Sequence, residues 1–131
     1  MTKEQAMVAA FHRQFGLIAP DDVDLERFPG DLRVRLIQEE ADEFAAAVRD
    51  RDLPEMVDAL CDLLYVTYGA AVALGVDLEP FFAAVHEANM AKRGGYPRED
   101  GKWMKPDGWQ PPDIGRLLRE RHGWAPARSR G

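Results

Sequence analysis

Between residues 2 and 92, apolar side chains recur every three or four positions and nowhere alternate strictly with polar ones. That pattern admits amphipathic helices and leaves almost no room for a sheet. Punctuating residues divide the stretch. A first helix over residues 2–15 turns Met7, Ala10, Phe11 and Phe15 toward a core and is closed by Gly16. Residues 18–29, with two prolines and several acids, read as irregular chain. Asp31 suits the N-cap of a second helix reaching Asp50. Leu53-Pro54 opens a third, which runs to Leu74 and stops at Gly75. Asp77 can cap a fourth, with Pro80 in its first turn, running to about Lys92 before Gly94-Gly95. Residues 94–113, rich in glycine, proline and aromatics, read as a structured loop, and a short helix over 113–121 follows. The expected fold class is all-α and four-helix-bundle-like. The expected organisation is a single domain over 1–122 with a mobile tail over 123–131.

Composition agrees with a globular chain: 131 residues, 46% hydrophobic and 31% charged. No apolar run approaches the ~20 residues that cross a bilayer, and residues 1–16 lack a basic segment followed by an unbroken apolar stretch. A single cysteine, Cys61, leaves no internal disulfide framework and no cysteine-rich zinc site. Lying between the acidic and apolar stripes of the third helix, it reads as a small packing residue. A reducing, cytoplasmic setting is expected, without membrane association. The net charge of −6 speaks against a nucleic-acid-coating surface. That charge is uneven, with 18 acidic against 8 basic residues over 1–92 and 5 against 9 over 93–131. This imbalance suits either a cation site in the body with an anion site beyond it, or a solvated acidic surface with a basic tail.

Helical projection sharpens the first possibility. In the second helix Ile37, Ala41, Phe44 and Val48 form one apolar stripe, and Leu36, Glu40, Glu43 and Ala47 form its neighbour. In the third, Val57, Leu60, Leu64 and Ala71 form an apolar stripe flanked by Glu55, Asp58, Asp62 and Tyr65. Either acidic group alone reads as a solvated helix face. Together, on consecutive antiparallel helices, they aim four or five carboxylates at one another, which is costly without a counter-ion. A hard divalent cation with oxygen ligands, Mg²⁺ or Mn²⁺, answers that cost. A di-iron bundle needs Glu-x-x-His pairs, and none of His12, His86 and His122 follows a glutamate by three residues.

The other half supplies cations and rings. His86, Asn89 and Arg93 share roughly one face near the end of the fourth helix, beside Lys92. Lys102 and Lys105 are interleaved with Tyr96, Trp103 and Trp109. Cationic groups beside flat aromatics suit a nucleotide. Lys92 and Arg93 also complement a helix C-terminus, and the tryptophans serve equally to pack the loop. No dinucleotide-binding glycine pattern, phosphate-binding loop or nucleophile elbow is present.

Residues 36–44, LIQEEADEF, resemble the Glu-Glu-x-x-Glu motif of the MazG-like all-α nucleoside triphosphate pyrophosphohydrolases. Residues 57–77 resemble their second metal helix, VHEANMAKRG the helix after it, and GKWMKPDGWQPPDI the closing loop of the branch containing phosphoribosyl-ATP pyrophosphohydrolases and deoxynucleotide-cleansing enzymes. The likeness spans about residues 8–115 and departs at one place: Ala59 stands where the usual Glu-x-x-Asp has glutamate, with Glu55-x-x-Asp58 as a displaced copy. The resemblance implies a Mg²⁺-dependent enzyme, with Mn²⁺ able to substitute, that cuts a (d)NTP to (d)NMP and pyrophosphate in nucleotide-pool house-cleaning. It implies metal ligation by Glu40, Glu43, Asp58 and Asp62, with Glu55 as an extra candidate, and Glu39 orienting or deprotonating the attacking water. It implies substrate contacts from Asn89, Lys92, Lys105, Lys102, Trp109 and His12, and a homodimer or dimer-based tetramer. Phosphoribosyl-ATP hydrolysis, or a non-catalytic metal- or nucleotide-binding module, are the alternative readings.

Overall fold

The computed structural model describes residues 1–126, and the rest of the expected tail, 127–131, lies outside the described residues. The chain divides into two compact units, Met1–Asp77 and Leu78–Gly131. The all-α expectation holds, because among the described residues five helices carry most of the chain and strand is confined to one short hairpin.

The first unit contains α1 (Lys3–Gln14), α2 (Gly30–Arg49) and α3 (Leu53–Leu74), with α3 packed against both of the others. Its boundaries have local causes. Thr2 caps α1 by accepting from the Gln5 amide at 3.1 Å. Asp52 caps α3 by accepting from the Glu55 amide at 3.2 Å, and Pro54 lies in the first turn. The connection of Asp50, Arg51 and Asp52 is short, with Arg51 left-handed at φ 53°, and it folds α3 back along α2. Gly75 closes α3 at φ 78°, and a Cβ there would collide with the Asp22 carbonyl. The irregular segment after α1 lies against that end, with the Asp24 amide donating to the Leu74 carbonyl at 3.3 Å.

Two capping expectations are corrected. Helix α2 begins at Gly30 with Pro29 as its cap, so Asp31 falls in the first turn, where its charge still complements the helix dipole. The fourth helix, Glu79–Met90, has Leu78 as its cap, one residue beyond Asp77, whose carboxylate pairs with the N-terminal amine at 3.2 Å.

The apolar faces also differ from the expected ones. Helix α1 buries Gln5, Val8, Ala9 and His12, while Met7, Phe11 and Phe15 stay exposed. Helix α3 buries Ala59, Gly69, Ala71, Val72 and Ala73, whereas Val57, Leu60 and Leu64 are about half exposed. Small residues line the contacts because they let helix axes approach. The bulkier side chains are left on the outer face, and Cys61 is exposed among them rather than packed inside. Helix α3 is 22 residues long and its most apolar stretch has a mean hydropathy of 1.5, enough by length and composition to cross a membrane. It also carries Asp58 and Asp62 and packs against two helices, as the central helix of a bundle does.

The second unit contains α4 (Glu79–Met90), β1 (Tyr96–Pro97), β2 (Trp103–Met104) and α5 (Ile114–His122). The strands pair antiparallel, Tyr96 opposite Met104 and Pro97 opposite Trp103. They are too short to give an alternating signal. Asp113 caps α5 by accepting from the Arg116 amide, and Gly123 ends it at φ 63°, with the Trp124 amide returning to the Leu118 carbonyl. Within this unit Phe81 is buried and stacks on the His122 ring, centroids 6.1 Å apart.

Candidate active site

Antiparallel packing of α2 on α3 brings Glu40, Glu43 and Asp62 together, each offering an oxygen within 4.8 Å of the others. Glu40 and Glu43 come from one helix face at a three-residue step, and Asp62 from the middle of α3. Glu40 is half-buried, and its Oε2 is fully enclosed with no hydrogen-bond partner among the described residues. Burial pushes the Glu40 carboxyl up, helped by a hydrogen bond to Glu43 and by the charges of Glu43, Asp62 and Glu39. Burial likewise raises Asp62, with Asp58 and Glu43 adding to it. Three carboxylates driven together, two of them resisting ionisation, are a poor arrangement for a protein alone.

They suit a divalent cation. Oxygens bound to Mg²⁺ at about 2.1 Å stand roughly 3 Å apart when adjacent and about 4.2 Å apart when opposite. The observed grouping needs little contraction to meet that range. The unpartnered Oε2 of Glu40 is the kind of buried acceptor that an ion satisfies, and an all-oxygen donor set fits Mg²⁺ or Mn²⁺.

The other acidic candidates sit around this centre. Asp58 is exposed one turn from Asp62 and close enough for its charge to be felt there. Glu39 is exposed beside Glu40 and acts on it through its field. Glu55 does not join the trio. It borders a groove of about 300 Å³ with Glu43, Asp50 and Asp52, on the first turn of α3. Ala59 is buried one turn before Asp62 on the same face of α3, so a methyl group stands there and adds no carboxylate to the trio.

In the second unit, Trp109 donates from Nε1 to the Ala88 carbonyl at 2.6 Å, and Trp103 from Nε1 to the Lys92 carbonyl at 2.9 Å. Both indoles therefore fasten the loop to the end of α4. Lys92 and Lys105 converge on the Trp109 ring, with Nζ 5.1 Å and 5.5 Å from its centroid. Two ammonium groups held at one indole make a local cationic spot. Asn89 is exposed on α4. Lys102 is exposed in the hairpin connection, where its amide donates to Asp100 and its carbonyl accepts from the Arg98 amide. Arg98 pairs with Asp100 at 2.6 Å and holds that carboxyl below its usual range.

His12 is 2% exposed, with Nδ1 2.9 Å from the Ile18 carbonyl, and burial lowers its pKa. Beside it lies a residue that the sequence reading missed. Arg33 is 7% exposed and burial lowers its pKa; among the described residues its Nε has no hydrogen-bond partner and no counter-charge opposes that shift. Room for it comes from Gly69: a Cβ there would stand 2.5 Å from Nη1 of Arg33 and 3.4 Å from Nε2 of His12. Spacing relates the two positions to the carboxylates without revealing the burial. Arg33 precedes Glu40 by seven residues and Gly69 follows Asp62 by seven, each two turns along the same helix face.

A family model described as phosphoribosyl-ATP pyrophosphohydrolase matches residues 8–89, more than half of the chain. Over 48 residues the chain is 44% identical to an uncharacterized protein of Acanthamoeba polyphaga mimivirus, a stretch covering 37% of this chain and 19% of that protein. The chain therefore spans only a fraction of that relative's length. With a helical first unit, a carboxylate trio between α2 and α3, and a family match over that region, the chain belongs to the phosphoribosyl-ATP pyrophosphohydrolase family, part of the MazG-like all-α superfamily whose members hydrolyse phosphoanhydride bonds.

Proposed function

We propose that the protein is a Mg²⁺-dependent nucleoside triphosphate pyrophosphohydrolase that converts (d)NTP and water to (d)NMP and pyrophosphate in the cytoplasm, as part of nucleotide-pool house-cleaning. The observation that carries this reading is the Glu40–Glu43–Asp62 trio with its enclosed, unpartnered Glu40 oxygen. Glu40, Glu43 and Asp62 hold the cation, and Asp58 adds charge from one turn away. Glu55, on the groove shared with Glu43, is the remaining candidate ligand. A Mg²⁺ or Mn²⁺ ion held by these residues would supply charge neutralisation at the phosphates and a lowered pKa for bound water. Glu39, exposed beside the trio and not consumed by ligation, orients the attacking water and accepts its proton. Lys92 and Lys105 bind anionic oxygens of the polyphosphate, with Lys102 and Asn89 as lesser contacts and Trp109 holding the two ammonium groups in place. No nucleic-acid polymer is expected as a partner.

The half-exposed Val57, Leu60 and Leu64 on α3 fit a homodimer or dimer-based tetramer, in which a second copy covers apolar surface. The test of the activity is pyrophosphate release from a panel of nucleotides with Mg²⁺, Mn²⁺ and chelator. A second reading, hydrolysis of phosphoribosyl-ATP, is favoured by the description of the matching family. Including that compound in the panel separates the two. Folded protein that turns over neither, while still binding Mn²⁺, would instead be a regulatory module.

A further inference from the structure

Besides the carboxylate trio, the first unit holds a second feature that its fold leaves unanswered. A cavity of about 240 Å³ lies among α1, α2 and α3, walled by Phe11, Leu17, Leu36 and Val66 and bordered by His12, Arg33 and Gly69. Apart from Tyr65 at its edge the remaining walls are apolar, yet Arg33 is nine-tenths buried against it, with Nε unpartnered among the described residues. A buried cation without a counter-ion is strongly unfavourable, and Gly69 inside a helix adds a further cost relative to alanine. Both are present together, because any side chain at 69 would displace the guanidinium.

We infer that this cavity receives the base of the substrate, and that Arg33 selects bases carrying a carbonyl oxygen at their outer edge: uracil, thymine, guanine or hypoxanthine. The inference rests on the nucleotide pyrophosphohydrolase reading and narrows its substrate class. A guanidinium only donates hydrogen bonds, so its partner must be an acceptor. A free anion would have one cation and a greasy wall, whereas a flat ring with one carbonyl matches both walls and donor. Adenine and cytosine present an amino group at that edge, which would leave donor facing donor. His12 complements the choice. Its Nδ1 proton goes to the Ile18 carbonyl, which leaves Nε2 as an acceptor, next to Gly69, for the ring N–H adjacent to the carbonyl. The cavity is also suitably placed. Arg33 and Gly69 each stand two turns, about 10.5 Å, from the carboxylates of their own helix, comparable to the span of a nucleoside monophosphate from phosphorus to outer base edge.

The test compares wild type with Arg33→Met and, independently, Gly69→Ala, which forces the guanidinium aside. Relative kcat/KM is measured for dUTP, dTTP, dGTP, dITP, dATP, dCTP and phosphoribosyl-ATP with Mg²⁺, and metal-free binding of dUMP and dAMP by calorimetry. Loss of a charge-assisted hydrogen bond corresponds to roughly 10- to 100-fold. Wild type is expected to favour the carbonyl class over dATP and dCTP by at least that factor. Either variant should bring the two classes within about threefold, and Arg33→Met should melt no lower than wild type. Selectivity unchanged in a folded Arg33→Met protein, preference for amino bases, or an Arg33-dependent preference for phosphoribosyl-ATP would overturn the inference while leaving the enzyme reading intact. If no nucleotide is turned over, the enzyme reading fails, and the binding arm still decides: tighter dUMP than dAMP, lost in the variants, supports the base site, and equal binding refutes it.

Discussion

At the residue scale the account turns on carboxylates that resist ionisation. Glu40 and Asp62 are raised by burial first and by neighbouring charge second. The native state thus keeps protons that the unfolded chain has released. Their contribution to stability is complete below the ordinary carboxylate pKa, near 4, and is lost as pH rises through the raised native values. Metal-free protein should therefore melt lower at pH 7 than just above pH 4 to the extent set by these groups. Glu40→Gln should reduce that difference, and saturating Mg²⁺ should offset it, which thermal melts across pH would show. Asp62→Asn should lower kcat/KM on the order of 10²-fold and abolish the Mn²⁺-dependent rise in melting temperature, while the far-UV circular dichroism stays helical. The trio was legible only as part of a larger group, because a step of three puts Glu40 and Glu43 on one face of α2, whereas the α3 stripe offers Glu55 and Asp58 along with Asp62 and only packing draws Asp62 to the pair. Arg33 was not legible. A charged side chain is solvated by default, and its burial depends on the missing side chain of Gly69, a residue on another helix.

At the element scale the helix ends divide in the same way. Pro54 and Gly75 act where the sequence puts them, because each satisfies a local requirement of the backbone, and Asp52 and Asp113 cap α3 and α5 although the pattern of apolar residues did not single them out. Asp31 and Asp77 are not the caps, because Pro29 starts α2 two residues earlier and Leu78 takes the position before α4. The phase of α3 was hidden for a different reason. With apolar residues on several faces, periodicity does not say which face is inside, and packing chose the small ones, Ala59, Gly69 and Ala73. Gly75 tests how far these ends matter. Its left-handed backbone costs an L-residue about 1–2 kcal/mol, and a Cβ would also meet the Asp22 carbonyl. Gly75→Ala should lower unfolding free energy by at least that amount in urea titrations. Asp52→Ala should cost about 1 kcal/mol through loss of the cap.

At the scale of the whole molecule, the first unit leaves Val57, Leu60 and Leu64 exposed on α3 and Met7 and Phe11 exposed on α1. If a second copy covers this surface, light scattering after gel filtration should give at least a dimer, and Leu60→Glu with Leu64→Glu should yield monomer with unchanged helix content. A wild-type monomer at tens of micromolar would remove that assignment without touching the metal centre. The central claim is that the carboxylate trio holds a cation used to cut a nucleotide phosphoanhydride, and it is tested most directly by pyrophosphate release. The account predicts release from one class of nucleoside triphosphate that requires Mg²⁺ or Mn²⁺, stops with chelator, and falls about 10²-fold or more in Glu43→Gln. Release that persists in chelator, or in folded Glu43→Gln at the wild-type rate, would contradict it.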